Sequence, residues 1–432
     1  MRHRTPRSRT LATALASGLG LASLLCATGT AQANSYTTPP PPTALGAPSP
    51  LSSSDCAWPI LTDAATLNVA FPDSNSSYWV MPYNFTPGMK ITVKGDYSPV
   101  RFFSLTAYQS DFSPVTGGSS MLQDAALAAD NGAGNPFTNV NIKGGTYTAT
   151  LTAGGAQGPN AIKALSSGET GNGYLIYRVY VPTPGVGTAK MPTITITTPS
   201  GSKDLKACKD PAKNKLMNAA LTAVVRAKSP DPQPSAWAEP KFARQKDAAT
   251  GGLFPNPANK YISAPFNYEA GKVVVVRGKA PTFPDTTHGA SPATPSNLRY
   301  WSLCTNIYSK SILNEPYPVV QCAADYQTVL DGKGRYTYVV STPKDKPANA
   351  TTTNGVTWLD SGLGLTTRRG VLLMRNMLAS PSFTHAVQNV PDGTPSVAVT
   401  RNVMGDYYPE AVSCDKQTFA TGGADACFAK TS

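Results

Sequence analysis

Short stretches in which apolar and polar residues alternate run through most of this chain. Lys90–Lys94, Tyr147–Thr152, Tyr174–Tyr180 and Thr193–Ile196 keep a period of two, are rich in Thr, Val, Ile and Tyr, and are separated by Gly- and Pro-bearing turns. That period sends successive side chains to opposite faces of a sheet, so it predicts short strands of a sandwich or jelly-roll-like barrel. Helical periodicity stands out once. Asp210 is placed to cap, Pro211 suits the first helical position, and Lys213–Lys228 sets Leu216, Ala220, Ala223 and Val224 on one face.

The strand pattern occurs twice. Phe71, Pro72, Tyr78, Pro82, Asn84, Gly88, Val93 and Gly95 recur without a gap, 183 positions later, as Phe254, Pro255, Tyr261, Pro265, Asn267, Gly271, Val276 and Gly278. Arg101-Phe102-Phe103-Ser104-Leu105 then becomes Arg299-Tyr300-Trp301-Ser302-Leu303 at an offset of 198, so the second copy gains fifteen residues in between. Arg178 and Arg375 each lie in a late apolar strand. A self-similar period of this kind marks a duplicated unit. The expected fold is mainly β: two tandem homologous β-sandwich or jelly-roll-like domains joined by a helix-bearing connector. Shared residues then serve the scaffold, and differences between copies point to function.

The second copy carries Tyr300-Trp301-Ser302-Leu303, Asp331-Gly332, a strand over Tyr336–Pro343, Val356-Thr357-Trp358-Leu359 and Leu372-Leu373-Met374-Arg375. The first shows a sparser version in Phe103-Ser104-Leu105, Tyr147–Thr152 and Arg178–Pro182. This order resembles the bacterial family catalogued as domain of unknown function 1214. The chain departs from that pattern at Thr357, where the family has Asn, and at Asn376-Met377, where it has Leu-Tyr. The resemblance implies an exported β fold in two copies and brings no chemistry with it.

Four arginines at the start, an apolar stretch over Leu11–Leu25 and the small-x-small site Ala31-Gln32-Ala33 read as an export signal cleaved after Ala33. The stretch is too short and too rich in Gly and Ser for a stable membrane span. The domain map follows: signal 1–33, Pro/Ser-rich leader 34–55, first β domain 56–209, helix and connector 210–252, second β domain 253–411, and a cysteine-bearing tail 412–432. Loss of the signal leaves six cysteines, and an even number in an exported chain favours disulfides. The expected pairs are Cys56–Cys208 around the first copy, Cys304–Cys322 across neighbouring strands and Cys414–Cys427 in the tail.

The formal net charge of +12 becomes +8 without the signal arginines, and only 14% of residues are charged. The lysines and arginines are scattered, with no aromatic stacking platform, which excludes a nucleic-acid-binding run. There is no Gly-x-Ser-x-Gly elbow, phosphate loop or dinucleotide fingerprint, and no cofactor is implied. His288 and His385 are the histidines left after the signal, and neither has a cysteine at metal-ligand spacing, so no metal site is expected. Ser-x-x-Lys occurs at Ser200–Lys203 and Ser341–Lys344, in each case outside a helix start. Asp124, Asp130 and Asn135 flank a Gly-rich turn whose spacing matches no complete calcium loop.

Two candidate sites remain. In the second copy's insertion, Lys279–Leu298, Asp285 and His288 could form a general base, with His385 as a second candidate and Ser302 or Ser382 as nucleophile. Arg101, Arg299, Arg178 and Arg375, with Tyr300 and Trp301, could line a ligand groove or serve structure. The leading expectation is a secreted, non-catalytic protein that binds an extracellular or cell-wall ligand. Its partner would be an anionic cell-wall polymer or a small hydrophobic or carbohydrate molecule, with no nucleic acid. The alternatives are a secreted hydrolase using His288 or His385 and a structural envelope protein. An insertion loop found buried against the other copy would favour the last.

Overall fold

The computed structural model describes residues 56–155, 158–182, 189–213, 215–228, 239–244, 254–309, 315–392 and 395–430. The export signal, the leader and parts of the connector expected from sequence lie outside them. The first half supplies β1 (Cys56–Ala57), β2 (Ile60–Thr62), β3 (Ser76–Phe85), β4 (Lys90–Asp96), β5 (Val100–Gln109) and β6 (Met121–Gln123). It continues with β7 (Thr146–Thr152), β8 (Ala161–Lys163), β9 (Gly171–Pro182), β10 (Thr193–Thr198) and β11 (Gly201–Ala207), then α1 (Lys215–Lys228). The second half has β12 (Ala243–Arg244), β13 (Asn259–Asn267), β14 (Lys272–Lys279), β15 (Leu298–Ile307) and β16 (Val319–Ala324). It ends with β17 (Arg335–Ser341), β18 (Thr357–Asp360), β19 (Arg369–Ala379), α2 (Val397–Met404), β20 (Glu410–Asp415) and α3 (Lys416–Ala429).

The fold is mainly β, in four sheets. In the first half the orders are β1-β11-β10-β4-β7-β8 and β2-β3-β9-β5-β6; in the second they are β18-β17-β14-β20 and β12-β13-β19-β15-β16. Inward side chains of each pair make a sandwich core: Val93, Phe103, Leu151 and Tyr177 in one, Val276, Trp301, Tyr336 and Met374 in the other. The repeated residues hold equal register positions. Tyr78 faces Arg178 as Tyr261 faces Arg375, Ser104 faces Arg178 as Ser302 faces Arg375, and Gly95 faces Tyr147 as Gly278 faces Tyr336.

The outer faces differ, and the sequence explains why. In β4 the inward Ile91 and Val93 alternate with outward Lys90, Thr92 and Lys94, so that face suits water. At the same offset of 183, Lys90 and Thr92 become Val273 and Val275, and β14 is apolar on both sides. Helix α3 covers the extra apolar face, where Val273, Val275, Val339 and Val412 meet Phe419 and Cys427. Burying each such valine is worth on the order of 2 kcal/mol. The disulfide Cys414–Cys427 ties α3 to β20. Cys56–Cys208 and Cys304–Cys322 form as well, so all three pairings match the expectation, and they fit an oxidising, extracellular environment. Among the described residues no helix is long and apolar enough to cross a membrane.

Three expectations need correcting. On α1 Leu221 and Val225 are buried against Leu67, Val69 and Phe112, while Ala223, expected on the packed face, is exposed. The expected boundary at residue 411 falls inside β20, and the tail beyond it forms part of the second half's packing. Likewise β12 lies within the expected connector yet pairs with β13. Finally, β5 and β15 do not alternate between core and water: both are buried almost throughout. Their second faces meet each other, as Phe102 and Tyr180 pack against Tyr300 and Met377.

Gly95 and Gly278 are shared because a tyrosine ring lies over each. A Cβ at Gly278 would stand 2.5 Å from Tyr336 Oη, and one at Gly95 2.6 Å from Tyr147 Oη. Gly95→Ala and Gly278→Ala are each expected to cost about 2 kcal/mol in urea unfolding, from overpacking.

Candidate functional site

The sequence-selected arginines converge where the two halves meet, and they do so reciprocally. Arg101, at the start of β5, donates from Nη1 to Asp325 Oδ1 at 2.8 Å and from Nε to Thr286 Oγ1 at 2.9 Å. Arg299, at the matching place in β15, reaches back to Asp124 Oδ1 at 3.3 Å. Each aspartate is held alike. Asp124 accepts from the Phe103 and Ala125 backbone N–H groups, and Asp325 from those of Trp301 and Tyr326. Arg101, Asp124 and Asp325 are fully or almost fully shielded from water.

The second arginine pair holds backbone. Arg178 Nη2 donates to the Phe254 carbonyl at 3.0 Å and to Tyr108 Oη at 2.6 Å; Tyr108 in turn donates to the Pro255 carbonyl. Arg375 Nη2 donates to the Phe71 carbonyl at 2.6 Å and to that of Pro72 at 3.2 Å. Phe71 and Phe254 both have left-handed backbones, φ 57° and 50°, which turn those carbonyls outward at a cost of about 1–3 kcal/mol each. The repeated Phe-Pro motif is therefore an arm by which each half grips the other. Backbone bonds support it: Phe71 N–H to Tyr317 O and Phe254 N–H to Phe112 O.

Around Arg375 the copies diverge. Thr106, which accepts from Arg178, is matched by Cys304, whose Sγ accepts from Arg375 Nη1 at 2.7 Å. Asp73 occupies the place of Asn256 and accepts from Tyr300 Oη at 2.8 Å and Ser302 Oγ at 2.7 Å, with Arg375 3.6 Å away. Burial works against the charge of Arg375, but Asp73 and the surrounding tyrosines outweigh it and hold its pKa above the ordinary arginine value. Asp73, Cys304 and Cys322 are the one group among the described residues with metal-ligand proximity. Both sulfurs are taken up by the disulfide, which leaves a single carboxylate already bound by donors.

Ser302 thus faces Asp73 in the buried junction, and no hydrogen bond links it to His288 or His385. Tyr300 and Trp301 are buried as well; Trp301 Nε1 donates to the Pro281 carbonyl. Asp285 and His288 do come together, Oδ2 to Nδ1 at 2.8 Å, with the imidazole 77% exposed. Burial pushes the Asp285 pKa up, but bonds from Thr287 and His288 more than offset it and leave the carboxyl below its ordinary value. The insertion is not a free loop: Thr286 is buried and Asp285 lies 3.7 Å from Arg101. His385 is exposed, bonds the Val403 carbonyl through Nδ1 and stacks on Tyr407. Beside that ring, Trp301, Tyr336, Met374 and Phe383 line a cavity of about 10 Å³, room for roughly one water. Asn135 donates to the Asp124 and Leu127 carbonyls, and Asp130 accepts from Thr146, so the Gly-rich segment is a braced turn.

Sequence reasoning missed Asp73 and Asp325. The signal for Asp73 is its place directly after the repeated Phe-Pro, where the copies differ by Asp and Asn. Asp325 has a weaker one: it follows Arg299 by 26 residues, as Asp124 follows Arg101 by 23.

No protein-family model matches the chain, and no curated protein resembles it at a significant level. A solved structure does share the fold. The chain is similar to an uncharacterized protein from Burkholderia cenocepacia, 14% identical, with a TM-score of 0.51 over 85% of this chain and 84% of that one. It also aligns with the VPA0106 protein from Vibrio parahaemolyticus at 12% identity, covering 80% and 91%, with a TM-score of 0.37.

Arg101→Leu removes the cation that pulls the Asp325 pKa down, so the buried carboxyl takes up a proton and loses its partner; the expected cost is about 3 kcal/mol, and Arg101→Met with Asp325→Leu should recover most of it. Both measurements are equilibrium unfolding. Burial raises Asp124 and Asp325 to about 6 each, against the opposing pull of Arg299 and Arg101. The folded chain therefore holds protons that the unfolded chain releases near the ordinary carboxylate pKa of about 4. The stability from these groups is complete below about pH 4 and is lost as pH rises through about 6, on the order of 3 kcal/mol per aspartate. Asp124→Asn and Asp325→Asn should flatten this part of the pH profile of the urea midpoint.

Proposed function

We propose that the chain is an exported, non-catalytic binding protein: two homologous β sandwiches copied in tandem, locked into one body, that meets an extracellular or cell-wall ligand through the outer face of the first half. One observation carries this reading. The surfaces that could have formed a groove or active site are closed by the protein itself, whereas the outer side of β10, β4 and β7 remains exposed or half-exposed and polar. The matching side of β14 and β17 lies under α3. The junction is filled by aromatic rings and arginine bonds, and the insertion is tied to Arg101. The three disulfides fit an oxidising, extracellular environment and support a ligand outside the cytoplasm.

Hydrolysis has one supporting observation, the Asp285–His288 contact, which could hold a base at the surface. Among the described residues no serine is bonded to His288 or His385. A purely structural envelope role draws on the burial of Thr286 against the first half, and it differs in needing no ligand.

Mature protein mixed with envelope fragments of its source cell should co-sediment, and Lys90→Glu/Lys94→Glu/Lys206→Glu should abolish retention. Retention unchanged by the triple substitution would remove this reading. If hydrolysis of any envelope polymer is detected and His288→Ala and His385→Ala both leave it unchanged, the catalytic alternative is lost.

A further inference from the structure

We infer that the open face of β11, β10, β4 and β7 binds a linear chain of phosphate groups carrying no aromatic bases. This rests on the binding role proposed for that face and names its ligand class. Lys90 and Lys94 stand four residues apart on the outer side of β4, and Lys206 lies two strands away on β11. Strand spacing and rise put these ammonium stems roughly 10–14 Å apart, so flexible lysine arms can meet successive anions of one extended polymer.

The face also carries Asp96 and Asp204, and neither is paired with one of these lysines. Asp204 accepts from Thr195 at 2.6 Å and Asp96 pairs with Lys190 at 2.8 Å. Among the described residues, no carboxylate pairs with Lys90, Lys94 or Lys206. Thr92 and Thr150 face each other across β4 and β7 between the lysines, and no described residue bonds their hydroxyls. Those hydroxyls are free to donate to anion oxygens. The outward positions of β4, β7 and β10 hold Lys, Thr and Asp and no aromatic ring, so nothing there stacks a base or a sugar. All the cations are lysines, point charges that suit a rotating phosphate, whereas planar carboxylates favour the arginine fork. The face is open by sequence as well as by shape, since Lys90 and Thr92 are Val273 and Val275 in the copy that α3 covers.

The test titrates the mature protein with fluorescently labelled long-chain inorganic polyphosphate and reads anisotropy. Saturable binding is expected, weakened at least about fivefold when salt rises from about 50 to about 200 mM. Lys90→Glu/Lys94→Glu/Lys206→Glu should weaken it at least about tenfold, and Thr92→Val about threefold. Lys143→Glu/Lys333→Glu/Lys344→Glu, at the same net charge on other exposed positions, should stay within about twofold. Equal loss in that control, or polygalacturonate binding as tightly as polyphosphate, would overturn the assignment. Absent polyphosphate binding with envelope retention intact would remove the phosphate class and leave the binding role standing; loss of both would remove both.

Discussion

Two guanidinium–carboxylate pairs, closed off from water and each joining one half of the chain to the other, set the terms for the rest of this molecule. An arginine inside a β structure is tolerated only where acceptors meet it, because an unpaired buried charge costs several kcal/mol. Here each acceptor lies on the opposite half: Arg101 needs Asp325, and Arg299 needs Asp124. Arg178 and Arg375 repeat the exchange with the carbonyls of the two Phe-Pro arms. The arrangement has the logic of a symmetric dimer, in which one patch meets its own copy, written into a single chain.

That exchange also explains why so much of the chain is doubly buried. The central strands of the five-stranded sheets carry core residues on one side and junction residues on the other. Phe103 packs inward while Phe102 meets the second half, and Trp301 packs inward while Tyr300 meets the first. The polar groups brought along, such as Tyr300 Oη, Ser302 Oγ and the Asp73 carboxylate, bond one another. The chemistry-bearing residue types gathered at the junction thus satisfy one another's hydrogen bonds.

Much of this was legible in the residues. Period-two alternation located β4, β7, β9 and β10, and the offset of 183 paired Tyr78 with Tyr261 and Gly95 with Gly278 in equal register. The even cysteine number pointed to disulfides, and the three expected pairs form. What escaped was long-range. Alternation alone cannot tell a face that meets water from one that meets a second sheet, so Tyr300 read as a groove-lining ring. The partners of the arginines lie up to 304 positions away along the chain, and no local pattern marks them. On α1 the periodicity placed Ala223 on the packed face, whereas contact with Leu67, Val69 and Phe112 buries Leu221 and Val225.

The left-handed turn at Phe71 bears on the order in which the chain is made. Its carbonyl awaits Arg375, and Arg101 awaits Asp325, in strands synthesised hundreds of residues later. Until those strands emerge, the nascent first half displays two cationic side chains, an unanswered backbone arm and the rings of Phe102 and Tyr180 to its surroundings. A surface of that kind is sticky, so until the C-terminal strands are complete the first half is exposed to association with other chains unless it stays unfolded or a chaperone covers the face where the second half will dock.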